Sequence, residues 1–94
     1  MNDHDGSRQR PALAPRVRLE TDLITGDPVL LFPEGILILN ESAREIVTRC
    51  DGVRTVREIA ALLAQEYEAT AEELRSDVEE CIRDLRRRQL IVLQ

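Results

Sequence analysis

Val29-Leu30-Leu31-Phe32-Pro33-Glu34-Gly35-Ile36-Leu37-Ile38-Leu39-Asn40, with the Asp51-Gly52 pair that follows it, is the stretch whose reading decides the fold. It reads as a tight β-hairpin running straight into a helix that ends at Asp51-Gly52. Ile36 to Leu39 is apolar at every position. A strand with one wet face alternates, whereas a continuous apolar run is expected where both faces are covered. A chain of 94 residues has little material for the second side. The run therefore asks for a cover from outside the domain.

Working outward, Val17, Leu19, Thr21 and Leu23 alternate with Arg18, Glu20 and Asp22, the pattern of a half-buried strand. Thr25-Gly26-Asp27-Pro28 and Pro33-Glu34-Gly35 are turns, so three strands follow one another as an antiparallel meander. The third strand, Ile36 to Leu39, is left at an edge. Asn40 is a good N-cap for a helix over 41–50 with Ala43, Ile46, Val47 and Cys50 on one stripe. Asp51-Gly52 stops it, glycine supplying a left-handed conformation. Thr55-Val56-Arg57-Glu58 and Thr70-Ala71-Glu72-Glu73 are capping boxes. They open a second helix with Val56, Ile59, Ala60, Leu63 and Tyr67 on its apolar face, and a third, over 71–88, with Leu74, Val78, Cys81, Ile82 and Leu85 in line.

The expected fold class is therefore α+β: a three-stranded antiparallel meander followed by three helices, a small winged helix-turn-helix-like domain. Residues 1–14, polar and carrying Gly6, Ser7 and Pro11, read as a disordered tail before a domain at 15–94. Leu90 to Leu93 reads equally as a short strand or as an apolar tail packed back on the domain.

Composition excludes several function classes. The net charge of −5 argues against a nucleic-acid partner. The tested recognition helix, the third, carries Glu72, Glu73, Asp77, Glu79 and Glu80 in the half that would enter a major groove, against Arg75 alone. Arg83, Arg86, Arg87 and Arg88 lie at its far end, where they complement the helix dipole. Cys50 and Cys81, with only His4 for company, form no zinc set, and no phosphate loop or Cys/His pair is present. No cofactor is expected, and no enzyme. The acidic N-terminus lacks a signal-peptide core and no apolar run approaches a membrane span, which points to a cytoplasmic protein without membrane contact.

What remains is a binding module. An edge strand is normally blunted by charges, bulges or proline, and Ile36 to Leu39 carries none of these. If the third helix lies beside it, the two enclose a groove with Leu74, Val78, Cys81 and Ile82 on the helical wall. An extended peptide can add itself there as a further strand. Four or five backbone hydrogen bonds at about 1 kcal/mol and two buried aliphatic side chains at about 2 kcal/mol give roughly 8 kcal/mol gross, less the cost of ordering the peptide, which places the affinity in the micromolar range. The competing occupants are the domain's own core and a second copy of the chain, forming a homodimer.

The order Leu30-Leu31-x-Pro33-Glu34-Gly35, Leu39-Asn40, Ala43-x-x-Ile46, Cys50-Asp51-Gly52, Thr55-Val56-x-Glu58-Ile59 and Asp77-Val78 before Leu85 resembles the PqqD family of pyrroloquinoline quinone (PQQ) biosynthesis, over residues 15 to 93. The resemblance implies a non-enzymatic peptide chaperone, a RiPP recognition element. Such a protein holds the ribosomal precursor peptide PqqA and presents it to the radical SAM enzyme PqqE, which links a Glu and a Tyr side chain of the peptide. It implies a peptide site at the backbone of Ile36, Leu37, Ile38 and Leu39, faced by Leu74, Asp77, Val78, Cys81, Ile82 and Leu85. The alternatives are a winged-helix DNA-binding regulator and a recognition element for a different ribosomal peptide.

Overall fold

The computed structural model describes residues 8–94. Its elements in chain order are β1 (Pro11–Leu13), β2 (Arg18–Thr21), β3 (Pro28–Phe32), β4 (Gly35–Ile38), α1 (Glu41–Thr48), α2 (Val56–Tyr67), α3 (Ala71–Arg87) and β5 (Ile91–Leu93). The expected meander is β2-β3-β4, antiparallel throughout, and the three expected helices follow it. The register sets Leu30 opposite Leu37 and Leu19, and Val29 opposite Ile38 and Glu20.

The inner face of this sheet packs on the helices. Leu30 is fully buried with Leu39 from the end of the third strand, Ile46 and Val47 of α1, Ile59 and Leu63 of α2, and Val78, Ile82 and Leu85 of α3. The core is aliphatic, as a chain with one Phe, one Tyr and no Trp requires. Its helices begin where side chains satisfy their first amide groups. Asn40 accepts from the Ala43 N–H at 2.7 Å, and both capping boxes are complete, with Thr55 and Glu58, and Thr70 and Glu73, exchanging bonds. Those bonds hold the Glu58 and Glu73 carboxyls below the usual range.

Three expectations need correction. The first is the tail. Residues 1–7 lie outside the described residues, but Pro11–Leu13 is an ordered strand that pairs antiparallel with β5 in a second, two-stranded sheet. Pro11 is buried, and backbone bonds from Val56 N–H to the Gln9 carbonyl, Gly52 N–H to Pro11 and Ala14 N–H to Leu90 stitch the strand to three parts of the chain. This pairing also makes Ile91–Leu93 a strand, with Leu90 just before it. Second, the alternation that began at Val17 ends at Thr21. Asp22 then takes the Ile24 and Thr25 amides on its carboxylate, a tight Asx turn that leaves Leu23 97% exposed. Third, Tyr67 at the end of α2 is about half exposed rather than part of the apolar face.

Gly52 does adopt positive φ, at +80°, though α1 has already ended at Thr48. Its task is close approach: a Cβ there would meet the Ala12 Cβ at 3.4 Å, beneath β1.

Candidate functional site

β4 ends the sheet order, so among the described residues one of its edges is unpaired. The other outer strand, β2, is blunted by Arg18 and Glu20; β4 carries no charge, no proline and no bulge. Which of its amides face outward follows from one bond. The Leu39 N–H donates to the Pro28 carbonyl at 2.9 Å, so Leu39 and Pro28 are a hydrogen-bonded pair. In an antiparallel ladder such pairs alternate with non-bonded ones. Leu37 therefore bonds Leu30, while the N–H and C=O groups of Ile36 and Ile38 point away from the sheet. The side chains of Ile36 and Ile38 are 53% and 64% exposed on the outer face, and Leu37 and Leu39 turn inward.

Beside this edge lies a groove of about 750 Å³. Leu37, Ile38 and Leu39 line one side, Asn40, Ser42, Ala43 and Ile46 of the entry to α1 its floor and end, and α3 its second side. From α3 the groove receives Asp77, Glu80, Cys81, Asp84 and Leu85, with arginines beyond. These recur every three or four residues and so share one helical face.

Of the ten residues expected at the site, the groove brings together Leu37, Leu39, Ile38, Asp77, Cys81 and Leu85. Ile36 belongs to the open edge through its backbone. Val78 and Ile82 do not line the groove: they are buried in the core against α2 and the sheet, and Leu74 packs on that core half-buried. The core stripe and the groove stripe of α3 are neighbouring faces one residue apart, so a pattern of apolar positions finds the first and misses the second. The missed residues, Glu80 and Asp84, are polar. Their spacing from Asp77, at three and seven residues, is the signal that could have found them.

Burial pushes the Cys81 thiol up to about 11, helped by the Asp84 carboxylate, so it stays a neutral thiol near pH 7. Among the described residues no group of three His, Cys, Asp or Glu side chains could hold a metal ion, and no helix is long and apolar enough to cross a membrane. At the C-terminal end of α3, Asp84 accepts from Arg88 Nε at 3.2 Å and lies 3.8 Å from Arg87, so these arginines serve their own helix end.

Comparison with known proteins agrees with this geometry. The family model for "Coenzyme PQQ synthesis protein D (PqqD)" matches residues 28–91. A "PqqA binding protein" of Xanthomonas campestris pv. campestris (strain B100) is 39% identical over 83 residues, 88% of this chain and 90% of that one. The solution structure of the PqqD part of Methylobacterium extorquens PqqCD, described as a functional and stand-alone RiPP recognition element, superposes with a TM-score of 0.79 at 31% identity. It covers 93% of this chain and 92% of that one. Lasso peptide synthetase B1, solved with a leader peptide, shares the fold at a TM-score of 0.75 and 24% identity, over 88% of this chain and 98% of that one. With the family model spanning β3 to β5 and these relatives aligned over nearly their whole length, the chain belongs to the PqqD family.

Proposed function

We propose that this protein is a non-enzymatic peptide chaperone of PQQ biosynthesis, which binds a PqqA-type precursor peptide as an added strand on β4 and presents it to a PqqE-type radical SAM enzyme. The observation that carries the reading is the pair of outward-facing, uncharged backbone positions at Ile36 and Ile38 beside an open groove. Relatives of matching length described as PqqA binding proteins support the choice of peptide. The Methylobacterium extorquens relative, described as a RiPP recognition element, supports the mode.

The guest peptide lies between Ile36–Leu39 and the α3 face of Asp77, Cys81 and Leu85, with Val78, Ile82 and Leu74 supporting that wall from within. Its alternate side chains drop toward Leu37, Leu39, Ile46 and Cys81. Four edge hydrogen bonds contribute about 4 kcal/mol and two buried aliphatic side chains about 4 more. Ordering an extended peptide removes about 3 kcal/mol, leaving roughly 5 and hence affinities of about 200 μM from the edge and its pockets alone. Tighter binding needs contacts from the polar wall.

Amide hydrogen exchange by NMR tests the reading. In the free protein the Leu37 amide, bonded within the sheet, is protected, and those of Ile36 and Ile38 exchange rapidly. Adding synthetic PqqA should slow Ile36 and Ile38 selectively. If saturating peptide leaves both amides fast, strand addition at β4 is wrong. If PqqA does not bind but another ribosomal precursor protects the same amides, the domain serves a different peptide pathway.

A further inference from the structure

A second cleft, of about 450 Å³, lies where the end of α3 meets the β3–β4 turn and the connection from β1 to β2. Phe32 and Pro33 line one side, Pro15 and Arg16 another, and Arg88 and Gln89 close it. Arg16 stands there at a cost to the backbone. Ala14-Pro15-Arg16-Val17 is a turn closed by the Val17 N–H donating to the Ala14 carbonyl at 3.1 Å, and Arg16 sits in it at φ +72°. Positive φ just after a turn proline is where glycine is preferred, because a Cβ there crowds the carbonyl that follows. The other left-handed residue of the cleft, Gln89 at φ +66°, serves the helix: the Leu90 N–H donates back to the Leu85 carbonyl at 2.9 Å and closes α3. Arg16 closes no helix, and its guanidinium has no hydrogen bond or ion pair among the described residues.

Beside this cleft α3 carries more positive charge than its own end uses. Arg87 and Arg88 are taken up by Asp84. Arg83 and Arg86, both exposed, have no hydrogen bond or ion pair among the described residues. Arg83 lies more than a turn before Arg87, the last helical residue, where the helix dipole no longer favours a cation. Its spacing from Arg86 and Arg87, three and four residues, makes like-charge neighbours that weaken a helix. Arg16, Arg83, Arg86, Arg87 and Arg88 against Glu34 and Asp84 give this end of the domain a charge of +3. The whole chain carries −5, so the remainder carries −8.

We infer that this end of the domain is a docking face for an acidic segment of another protein. Guanidinium groups donate paired hydrogen bonds to carboxylates, and Phe32 with Pro15 and Pro33 offers an apolar seat for a side chain next to them. The face is small and its charge is local. A few carboxylates meet only the +3, whereas a duplex spanning the molecule, 43 Å in its longest dimension, would also meet the −8 of the rest. The cleft shares only Arg88 with the groove beside β4 and is lined by no residue of Ile36–Leu39. An acidic partner therefore docks whether or not β4 holds a guest.

A blocked Glu-Asp-Leu-Glu-Asp peptide and its Gln-Asn-Leu-Gln-Asn counterpart, titrated into the full chain at low salt, test this through amide chemical shifts. The acidic peptide should move the amides of Arg16, Phe32, Glu34, Gln89 and Leu90, with the effect fading at high salt, and the neutral peptide should move none of them. Arg16→Gly should weaken binding about fivefold while melting at or above the native temperature, because glycine relieves the positive φ. A lower melting temperature with binding unchanged would make Arg16 structural and overturn the proposal. Arg83→Gln combined with Arg86→Gln, checked for an unchanged amide spectrum, should weaken binding about tenfold. Shifts that these variants leave intact, or no shift at about 1 mM peptide, also overturn it. Tighter binding of a short DNA duplex than of the acidic peptide would make the face one for polyanions, against the proposal. Self-association in sedimentation that the arginine variants abolish gives the face to a second copy, again against it. Saturating PqqA should leave the acidic peptide's shifts in place. Displacement by PqqA makes the cleft part of the guest's own path and refutes a separate docking face, whereas failure of PqqA to bind removes only the strand-addition reading.

Discussion

Proline scanning of β4 gives the sharpest separation between a strand that receives a guest and one that merely ends a sheet. The alternation set by the Leu39–Pro28 bond means that equivalent substitutions at adjacent positions act on different partners. Ile38→Pro removes an amide that points outward and replaces a side chain that is already largely exposed. Proline is tolerated on an edge strand when its missing N–H faces outward, so the cost to folding should stay near 1 kcal/mol. The cost to binding is one guest hydrogen bond plus the unpaired guest carbonyl left behind, about 1–2 kcal/mol, or a 5- to 30-fold weaker complex. Leu37→Pro does the opposite. It breaks the bond to Leu30 in the middle of the sheet and deletes an inward side chain packed on the core, a loss of about 3 kcal/mol or more to folding. Ile38→Ala keeps the amide and serves as the side-chain control. Urea denaturation reads stability, and titration calorimetry with synthetic PqqA reads binding. If Ile38→Pro is well folded and binds like Ile38→Ala, the guest does not pair with this edge, and the reasoning from ladder parity fails.

Two further outcomes follow from the core and from the second sheet. Burial pushes the Cys50 thiol up to about 12, with the nearby Cys81 and Asp51 adding to the shift. A raised thiol pKa leaves stability intact below the unfolded value of 9.0 and removes it progressively as pH climbs toward 12. At pH 10.5 the loss from Cys50 is about 2 kcal/mol, and Cys81, raised to about 11, adds a similar one. Urea midpoints should fall between pH 8 and 10.5 in the native chain and by about half as much in Cys50→Ala; an equal fall in both would mean the Cys50 thiol is not buried. A chain beginning at Pro15 loses β1, its bonds to Gly52, Val56 and Leu90, and the cover over Ile91. That costs about 5 kcal/mol, most of the stability expected at this size, and the melting transition should broaden or vanish; an unchanged melt would make β1 dispensable.

Whether a feature of this protein can be read from its sequence depends on the range over which it is determined. Asn40, Thr55 with Glu58, and Thr70 with Glu73 announce helix starts because each satisfies amide groups within three residues. The β3–β4 turn is equally local. The pairing of Pro11–Leu13 with Ile91–Leu93 is not: three residues at each end carry no signal that they will meet, and the polar residues before Pro11 disguise the strand as tail. The exposure of Leu23 was hidden for a subtler reason, since alternation continued through Asp22 while an Asx turn had already bent the backbone.

The groove shows both regimes at once. Its edge was legible because four consecutive apolar residues without charge or proline are an unusual margin for a sheet. Of the helical residues expected beside it, Asp77, Cys81 and Leu85 line the groove, whereas Val78 and Ile82 do not, because apolar periodicity reports what the domain buries for itself. Val78 and Ile82 satisfy that pattern by sealing α3 to the core. The groove-facing surface of α3 is the neighbouring, largely polar stripe. Asp77 and Glu80 stand exposed on that stripe, where a charge costs nothing in water. On the proposed reading the strand offers pairing that any extended peptide can accept, and discrimination among peptides falls to the wall that hydrophobic patterning does not mark.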